Sequence, residues 1–346
     1  MTQPLRVAQW ATGNIGTRAL RQVIAHPQLE LAGVLVYDSA KDGVDAGVLC
    51  GGEPMGVLAT TDPQSLRDLR ADCVLYMPRF LDLDDVVGLL SSGSNVVTTR
   101  SEFFGRGAGL TDADRQRVVD ACRTGGSSIL ATGSSPGFIS DALPLTLLSL
   151  QRRADGVEID EYADLSQRDS PELLFDLMGF GQLVQAVDDA RATYLLGEFR
   201  PSLADLADAT GRAVTRWTAV GEVAGARADT RIAAGVIPAG TVAAQRTTLS
   251  GHGEAGIVVR FSANWYCTTA IEPAWELRPT GWRVQVRGDA PLDVRVDFPV
   301  APEDLADFTP GLTANRPVNA VPYVCAAAPG ILSVRDLPLI SYAGPP

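Results

Sequence analysis

The sequence predicts two kinds of α/β architecture in one chain: an N-terminal doubly wound parallel sheet, then an α+β domain built on a largely antiparallel sheet. Three observations lead there. From Leu5 to Ala131, apolar runs of strand length alternate with segments of helical period, as parallel strands joined by crossover helices require. After Thr132 the chain enters the Gly/Ser/Pro cluster GSSPGF, which marks a boundary near Ser135. Between Val157 and Val300, β-rich stretches such as GIVVRFSANWYC and GWRVQVRG accompany a single helical region, an α+β mixture.

The elements follow in order. Leu5 to Trp10 is the first strand, Ile15 to Ala25 the first helix and Leu29 to Tyr37 the second strand. Further strands are expected at Cys73 to Met77, Asn95 to Thr99 and Ser128 to Ala131, with helices near Leu83 to Leu90 and Asp112 to Arg123. Thr111 and Asp112 offer side-chain oxygens to the free N–H groups of that last helix. Beyond the boundary, helices are expected over Ile139 to Leu150 and Glu172 to Leu196. Near the end, VNAVPYVCAAAPGI is apolar, rich in small residues and closed by Pro-Gly; it is expected to return to the first domain. The divisions are residues 1–134, 135–310 and 311–346.

Composition narrows the function. The 346 residues are 46% hydrophobic and 20% charged, enough apolar material for two cores. A net charge of −12, with Lys nearly absent and no basic run, opposes nucleic-acid binding. The five cysteines, Cys50, Cys73, Cys122, Cys267 and Cys325, are odd in number and lack zinc spacing, which fits a reducing, cytoplasmic setting. The N-terminus has no signal-peptide pattern and no run of about 18 apolar residues occurs, so neither secretion nor a membrane is expected. His26, beside Pro27, and His252, in a Ser-Gly-His-Gly turn, are expected at the surface. No metal cluster and no Gly-x-Ser-x-Gly elbow can be assembled.

The turn after the first strand reads WATGNIG, with Ala11, Gly13 and Gly16 in the three places of a G-x-G-x-x-G fingerprint. Lying between a strand and a helix, it is read as a Rossmann dinucleotide turn, with Thr12, Gly13, Asn14, Ile15 and Gly16 around the pyrophosphate. Asp38, 22 residues after Gly16, is placed to accept hydrogen bonds from the adenosine ribose, which favours NAD; the alternative is a carboxylate that only solvates its loop. Ser39 and Lys41 follow, suited to a 2′-phosphate, so the cofactor is read as NAD or NADP. Ligands bind such sheets beyond the carboxyl ends of the strands. Met77 and Pro78 after the Cys73 strand, and Thr99 after the Asn95 strand, are therefore assigned to the cofactor, and TTRSEFF brings the carboxylate of Glu102 among hydroxyl and aromatic side chains. In the second domain Glu161 and Tyr162 close a strand and offer polar groups to an amine or a carboxylate, with a solvated strand end as the alternative. Trp265, Tyr266 and Trp275 are read as sheet core rather than pocket wall.

Together RVAQWATGNIG, NVVTTRSEFF, SPGFISDALPL, EYADLS with ELLFDLMGFG, and RPVNAVPYVCAAAPGI make the chain resemble the dihydrodipicolinate-reductase-like superfamily. The branch it resembles holds 2,4-diaminopentanoate dehydrogenase and the native amine dehydrogenases. The resemblance implies NAD(P)-dependent interconversion of a primary amine with a ketone or aldehyde plus ammonia, an active site between the two domains, and Glu102 as the catalytic carboxylate. Phe103 and Phe104 are expected to keep water from it. Phe138, in SPGFIS, joins Glu161 and Tyr162 on the substrate side. The His-rich, Lys-bearing substrate motif of dihydrodipicolinate reductase has no counterpart, which disfavours that exact reaction. Alternative readings are an imine or carbonyl reductase that never handles free ammonia, and a non-catalytic dinucleotide sensor. A homodimer is expected, because the β-rich half offers a larger sheet face than one layer of helix covers.

Overall fold

The computed structural model describes residues 3–184 and 189–342. The chain divides into two compact units, Met1–Phe138 with Thr309–Pro346, and Ile139–Phe308.

The first unit is built on seven parallel strands: β1 (Leu5–Trp10), β2 (Leu29–Leu35), β3 (Ala59–Thr60), β4 (Cys73–Tyr76), β5 (Asn95–Thr98), β6 (Ser128–Ala131) and, from the far end of the chain, β16 (Gly330–Leu332). Their order is β16-β6-β5-β4-β1-β2-β3. Chain direction reverses across β1, so the loops after β1 and β4 border the switch point where such sheets take ligands. Val7, Val74, Leu75, Val96, Val97 and Ile129 are fully buried, as strands covered on both faces demand. One layer packs the helix Asn14–Ala25 and the small residues of Leu305–Cys325 onto the sheet, through Ala19, Leu20, Val23, Ala314, Val318 and Val321. The other packs Leu83–Ser91 and Asp112–Gly125, through Val86, Leu89, Leu90, Val118 and Ala121. The second of those helices is capped by Thr111, whose hydroxyl accepts from Asp114 N at 3.2 Å.

The second unit carries a seven-stranded sheet. Its strands are β7 (Ala154–Asp164), β8 (Arg216–Ala226), β11 (Val242–Gly253), β12 (Gly256–Tyr266), β13 (Ile271–Glu272), β14 (Gly281–Gly288) and β15 (Leu292–Asp297). A separate ribbon pairs β9 (Thr230–Ile232) with β10 (Gly235–Ile237). The order is β13-β8-β11-β12-β7-β14-β15, antiparallel except where β7 runs parallel to β12. Leu195, Phe199, Leu203 and Leu206 of the helix Asp189–Ala209 share a core with Ile159, Phe261 and Val284 of the sheet.

Three expectations change. The helix expected over Glu172 to Leu196 is broken: an irregular turn covers Glu172–Leu177 and the regular helix is Asp189–Ala209. Gly179 and Gly181 lie between them at φ of 72° and 78°, a left-handed conformation that no helix continues through. The helix expected from Ile139 to Leu150 is present over nearly that span, a wide helical turn through Ala142 running into the regular helix Leu143–Leu148, with Ser135, Pro136 and Gly137 in extended or positive-φ conformations ahead of it. The second strand ends at Leu35, and Asp38 caps a short 3-10 turn, Ser39–Lys41. His26 is not on the surface: it is 8% exposed, its Nδ1 accepts from Gln28 N, and burial lowers its pKa below the usual 6.5.

Where the two helices of the second layer meet, Gly125 leaves no room for a side chain. A Cβ there would stand 1.9 Å from the carbonyl oxygen of Leu90, and backbone cannot rotate away. Gly125→Ala is therefore expected to destabilise the protein by about 1–3 kcal/mol or more, read as a lower urea midpoint at unchanged slope.

Candidate active site

The site in the first unit starts from the turn between β1 and the helix Asn14–Ala25. Ala11, in the first glycine place, adopts φ of +76°, the left-handed region that costs an alanine roughly 1–2 kcal/mol. The side-chain amide of Gln9, fully buried, holds it there by donating from Nε2 to Ala11 O at 2.9 Å. Gly16 sits against the same carbonyl: a Cβ at Gly16 would stand 2.1 Å from Ala11 O and 3.0 Å from Gln9 Nε2. Gly13 has the opposite surroundings, exposed and with nothing within 4 Å of a Cβ built on it. As helix N-cap it contributes no side-chain hydrogen bond. The first intrahelical bond is Thr17 N to Gly13 O, so the N–H groups of Asn14, Ile15 and Gly16 lack intrahelical acceptors. An open, uncapped helix start beside a glycine fits a pyrophosphate, which would fill the space and accept those N–H bonds.

Beside this turn stands Asp38. One oxygen accepts from Ala40 N at 2.9 Å and the side chain is otherwise exposed, open to a ribose. Lys41, the only lysine in the chain, reaches back onto the loop and donates from Nζ to Thr12 O at 3.2 Å and Oγ1 at 3.4 Å. Ser39 opens the 3-10 turn. The sequence carried no sign of the lysine's direction, nor of the bond from Trp10 Nε1 to Tyr37 OH, 3.0 Å, that fixes the residue before Asp38. Met77 and Pro78 are buried, and Met77 N donates to Trp10 O at 3.0 Å, joining the β4 loop to β1.

After β5, Thr98 donates from its hydroxyl to Tyr76 O at 2.6 Å and accepts from Arg100 N at 3.1 Å. Thr99 is half-buried beside it. Glu102 lies in the 3-10 turn Ser101–Phe103. Its two oxygens are gripped by Arg100, Nε to Oε2 at 3.1 Å and Nη2 to Oε1 at 2.5 Å. Arg100 is in turn anchored by a bond from Nη1 to Arg79 O at 2.6 Å. Gly109 backs the turn: its N–H donates to Glu102 O at 3.1 Å, and a Cβ there would stand 2.7 Å from Glu102 Cα. Phe103 and Phe104 do not shield the carboxylate as expected. Both are buried in the core with Trp10 and Tyr76, because apolar rings gain more from a packed interior than from a polar loop. The partner that does meet Glu102 is Arg100, two residues earlier, a spacing with no periodic signature in sequence.

Phe138 is half-buried, with the Arg316 guanidinium 5.7 Å from its ring centroid. In the second unit Glu161 and Tyr162 are adjacent on β7 and so face opposite sides of the sheet; they cannot meet one ligand on one face. Glu161 accepts from Trp265 Nε1 at 3.2 Å and Trp282 Nε1 at 3.3 Å. Tyr162 lies on the other face with Asp160, and burial raises its phenol above the usual 10. Among the described residues no group of three or more His, Cys, Asp and Glu side chains suits a metal ion, and no helix is long and apolar enough to cross a membrane.

Comparison with known proteins supplies the rest. An amine dehydrogenase of Streptomyces virginiae is 30% identical to the chain, over 95% of both sequences. The chain belongs to the amine dehydrogenase family. That agrees with the resemblance read from its five motifs. The structure of an amine dehydrogenase from Mycobacterium smegmatis superposes with a TM-score of 0.73 at 19% identity, covering 98% of this chain and 97% of the other. Scyllo-inositol dehydrogenase from Lactobacillus casei, solved with NAD(H) and scyllo-inositol, has a TM-score of 0.56 at 11% identity, covering 92% and 89%. No family model matches. The fold is thus that of dehydrogenases with a Rossmann sheet and a second, mostly antiparallel sheet.

Replacing Asp38 with Ser removes a carboxylate that would repel a 2′-phosphate, at a cost of about 1 kcal/mol or more for charges near 4 Å. The ratio of kcat/KM for NADP to that for NAD is expected to rise roughly tenfold in Asp38→Ser; an unmoved ratio would place Asp38 away from the ribose.

Proposed function

We propose that the protein is an NAD(P)-dependent amine dehydrogenase. It interconverts a primary amine and water with a ketone or aldehyde and ammonia, two electrons and one proton passing as hydride. The observation that carries the reading is Glu102, a carboxylate fixed beyond the carboxyl end of β5 in a chain 30% identical to an amine dehydrogenase. The cofactor, when bound, accepts the hydride in the oxidative direction and donates it in the reductive one.

The chain's own residues do the following. Gly13 and the free N–H groups of Asn14, Ile15 and Gly16 hold the pyrophosphate, and Asp38 the ribose. Met77, Pro78 and Thr99 border the nicotinamide end. Glu102 takes the proton. An amine releases hydride from its carbon only when neutral, since its lone pair must form the C=N bond. A carboxylate within hydrogen-bond reach accepts that proton and then orients the water that attacks the iminium. Arg100 occupies one lone pair on each oxygen and leaves the other two for the substrate. By fixing both oxygens at once, Arg100 is the positioning residue of Glu102.

The charged face of the second sheet, where Arg260 meets Glu158 at 2.7 Å and Arg283 meets Asp293, alternates signs and is self-complementary. We assign it to a homodimer contact, expected to show in light scattering at micromolar concentration as twice the 36.5 kDa chain mass; a monomer mass overturns it.

For the chemistry, NAD(P)H oxidation with a panel of small aldehydes and ketones is expected to require ammonia. Turnover without ammonia would make the protein a carbonyl reductase. Glu102→Gln keeps size and hydrogen bonding but removes the proton acceptor. Its kcat is expected to fall roughly a hundredfold or more with cofactor affinity nearly constant.

A further inference from the structure

Along β7, alternate residues point to the face covered by the helix Asp189–Ala209. Val157 and Ile159 on that face are fully buried and stand opposite Val259 and Phe261 of β12 and Val286 and Val284 of β14. The next residue in the row is Glu161, half-buried, with Ala263 on one side and Trp282 on the other. An acid at the end of an apolar row has to be explained by what it meets. Three other acids of this strand meet arginines, Asp155 pairing with Arg153 and Arg212, Glu158 with Arg260 at 2.7 Å and Arg287 at 3.1 Å, and Asp160 lying 3.7 Å from Arg260, while Asp164 at the strand end accepts from the backbone N–H of Ser166. Glu161 forms no ion pair among the described residues. Its partners are two neutral indole N–H groups, Trp265 at 3.2 Å and Trp282 at 3.3 Å, one on each oxygen. The Trp282 ring is itself fixed edge-on against Phe298, with centroids 4.8 Å apart.

A carboxylate partly withdrawn from water costs free energy unless a countercharge meets it. The indoles satisfy one lone pair on each oxygen and supply no charge, so two acceptor sites and the whole negative charge remain for a ligand. Apolar indole rings beside that charge favour a cation with an alkyl body, whose chain they can bury. We propose that Glu161, Trp265 and Trp282 form an ammonium subsite that binds a primary alkylammonium. It rests on the reading of the protein as an amine dehydrogenase, and it names the form in which an amine is first held. Glu161 is thereby a binding group, distinct from the proton acceptor Glu102. Free ammonium ion offers the same charge and N–H donors but no alkyl body.

Titration of the full-length protein with n-butylammonium chloride at neutral pH, against sodium chloride at matched ionic strength, is followed by tryptophan emission. The wild type is expected to give a saturable change, with n-butylammonium bound at least about tenfold more tightly than n-butanol. Equal affinity for the two overturns the proposal without any variant. In Glu161→Gln, n-butylammonium is expected to weaken about tenfold while n-butanol is unchanged. Identical curves, or equal losses for both ligands, would make Glu161 a structural clamp for the indoles and overturn the proposal. Ammonium chloride is expected to bind more weakly than n-butylammonium; equal binding would overturn the alkylammonium assignment in favour of ammonium ion. Turnover on amines with Glu161→Gln binding unchanged defeats the subsite and leaves the dehydrogenase reading intact. Subsite binding without turnover on any amine defeats the dehydrogenase reading and leaves the subsite.

Discussion

Between Gly16 and the carbonyl of Ala11 there is no space for a methyl group, and the cofactor end of the first unit depends on that closeness. The helix can sit this near the strand only without a Cβ at position 16. Once it does, its N-terminal N–H groups converge beside Gly13, where a side chain is absent and space is open. The chain tolerates a left-handed alanine at position 11 to complete the turn, and Gln9, buried beneath it, returns part of that cost through a hydrogen bond to the same carbonyl. A further contact from Lys41 to Thr12 fastens the turn to the segment carrying Asp38. The residues proposed to hold a pyrophosphate and a ribose are therefore fixed by backbone approach and short polar ties that exist before any ligand arrives, which lowers the ordering cost of binding.

Charge is distributed with the same economy. Arginines outnumber the single lysine, and many appear in defined pairs: Arg106 with Asp336, Arg67 with Asp85, Arg100 with Glu102. A planar guanidinium fixes a carboxylate in direction as well as position. In the role proposed for Glu102 that matters, because a proton acceptor must present its remaining lone pairs at a defined angle. Arg106 shows the strain this network sustains: it holds φ of 56° between Gly105 and Gly107, yet is tied by its ion pair to Asp336, whose carboxylate also accepts from Ser333 N. The Gly-Arg-Gly stretch thus fastens the segment after Glu102 to the C-terminal part of the chain. Against this background a carboxylate with two indole partners and no arginine, Glu161, stands apart.

The strands of the first unit were legible because a parallel strand buried on both faces has to be apolar from end to end, and runs such as CVLY and NVVT are. The helix starts were legible where a cap announces them, as at Thr111. The break at Gly179 and Gly181 was less so, since an apolar period on both sides of a glycine reads as one helix until the backbone angles are known. His26 was misjudged for a related reason: a polar residue beside a proline is usually solvated, and only packing shows that the first helix end turns inward.

Sequence by itself determined the class of fold, the glycine turn with its Asp38, and Glu102 as the carboxylate after β5, because each depends on local pattern: period, turn chemistry and spacing along one strand or loop. Tertiary structure decided what those groups touch. Arg100 closing on Glu102, Lys41 turning to Thr12, Phe103 and Phe104 entering the core, and Trp265 and Trp282 reaching Glu161 from two neighbouring strands all follow from side-chain direction and strand register. Those are set by how apolar faces pack across many residues at once, and no short window of sequence contains that information.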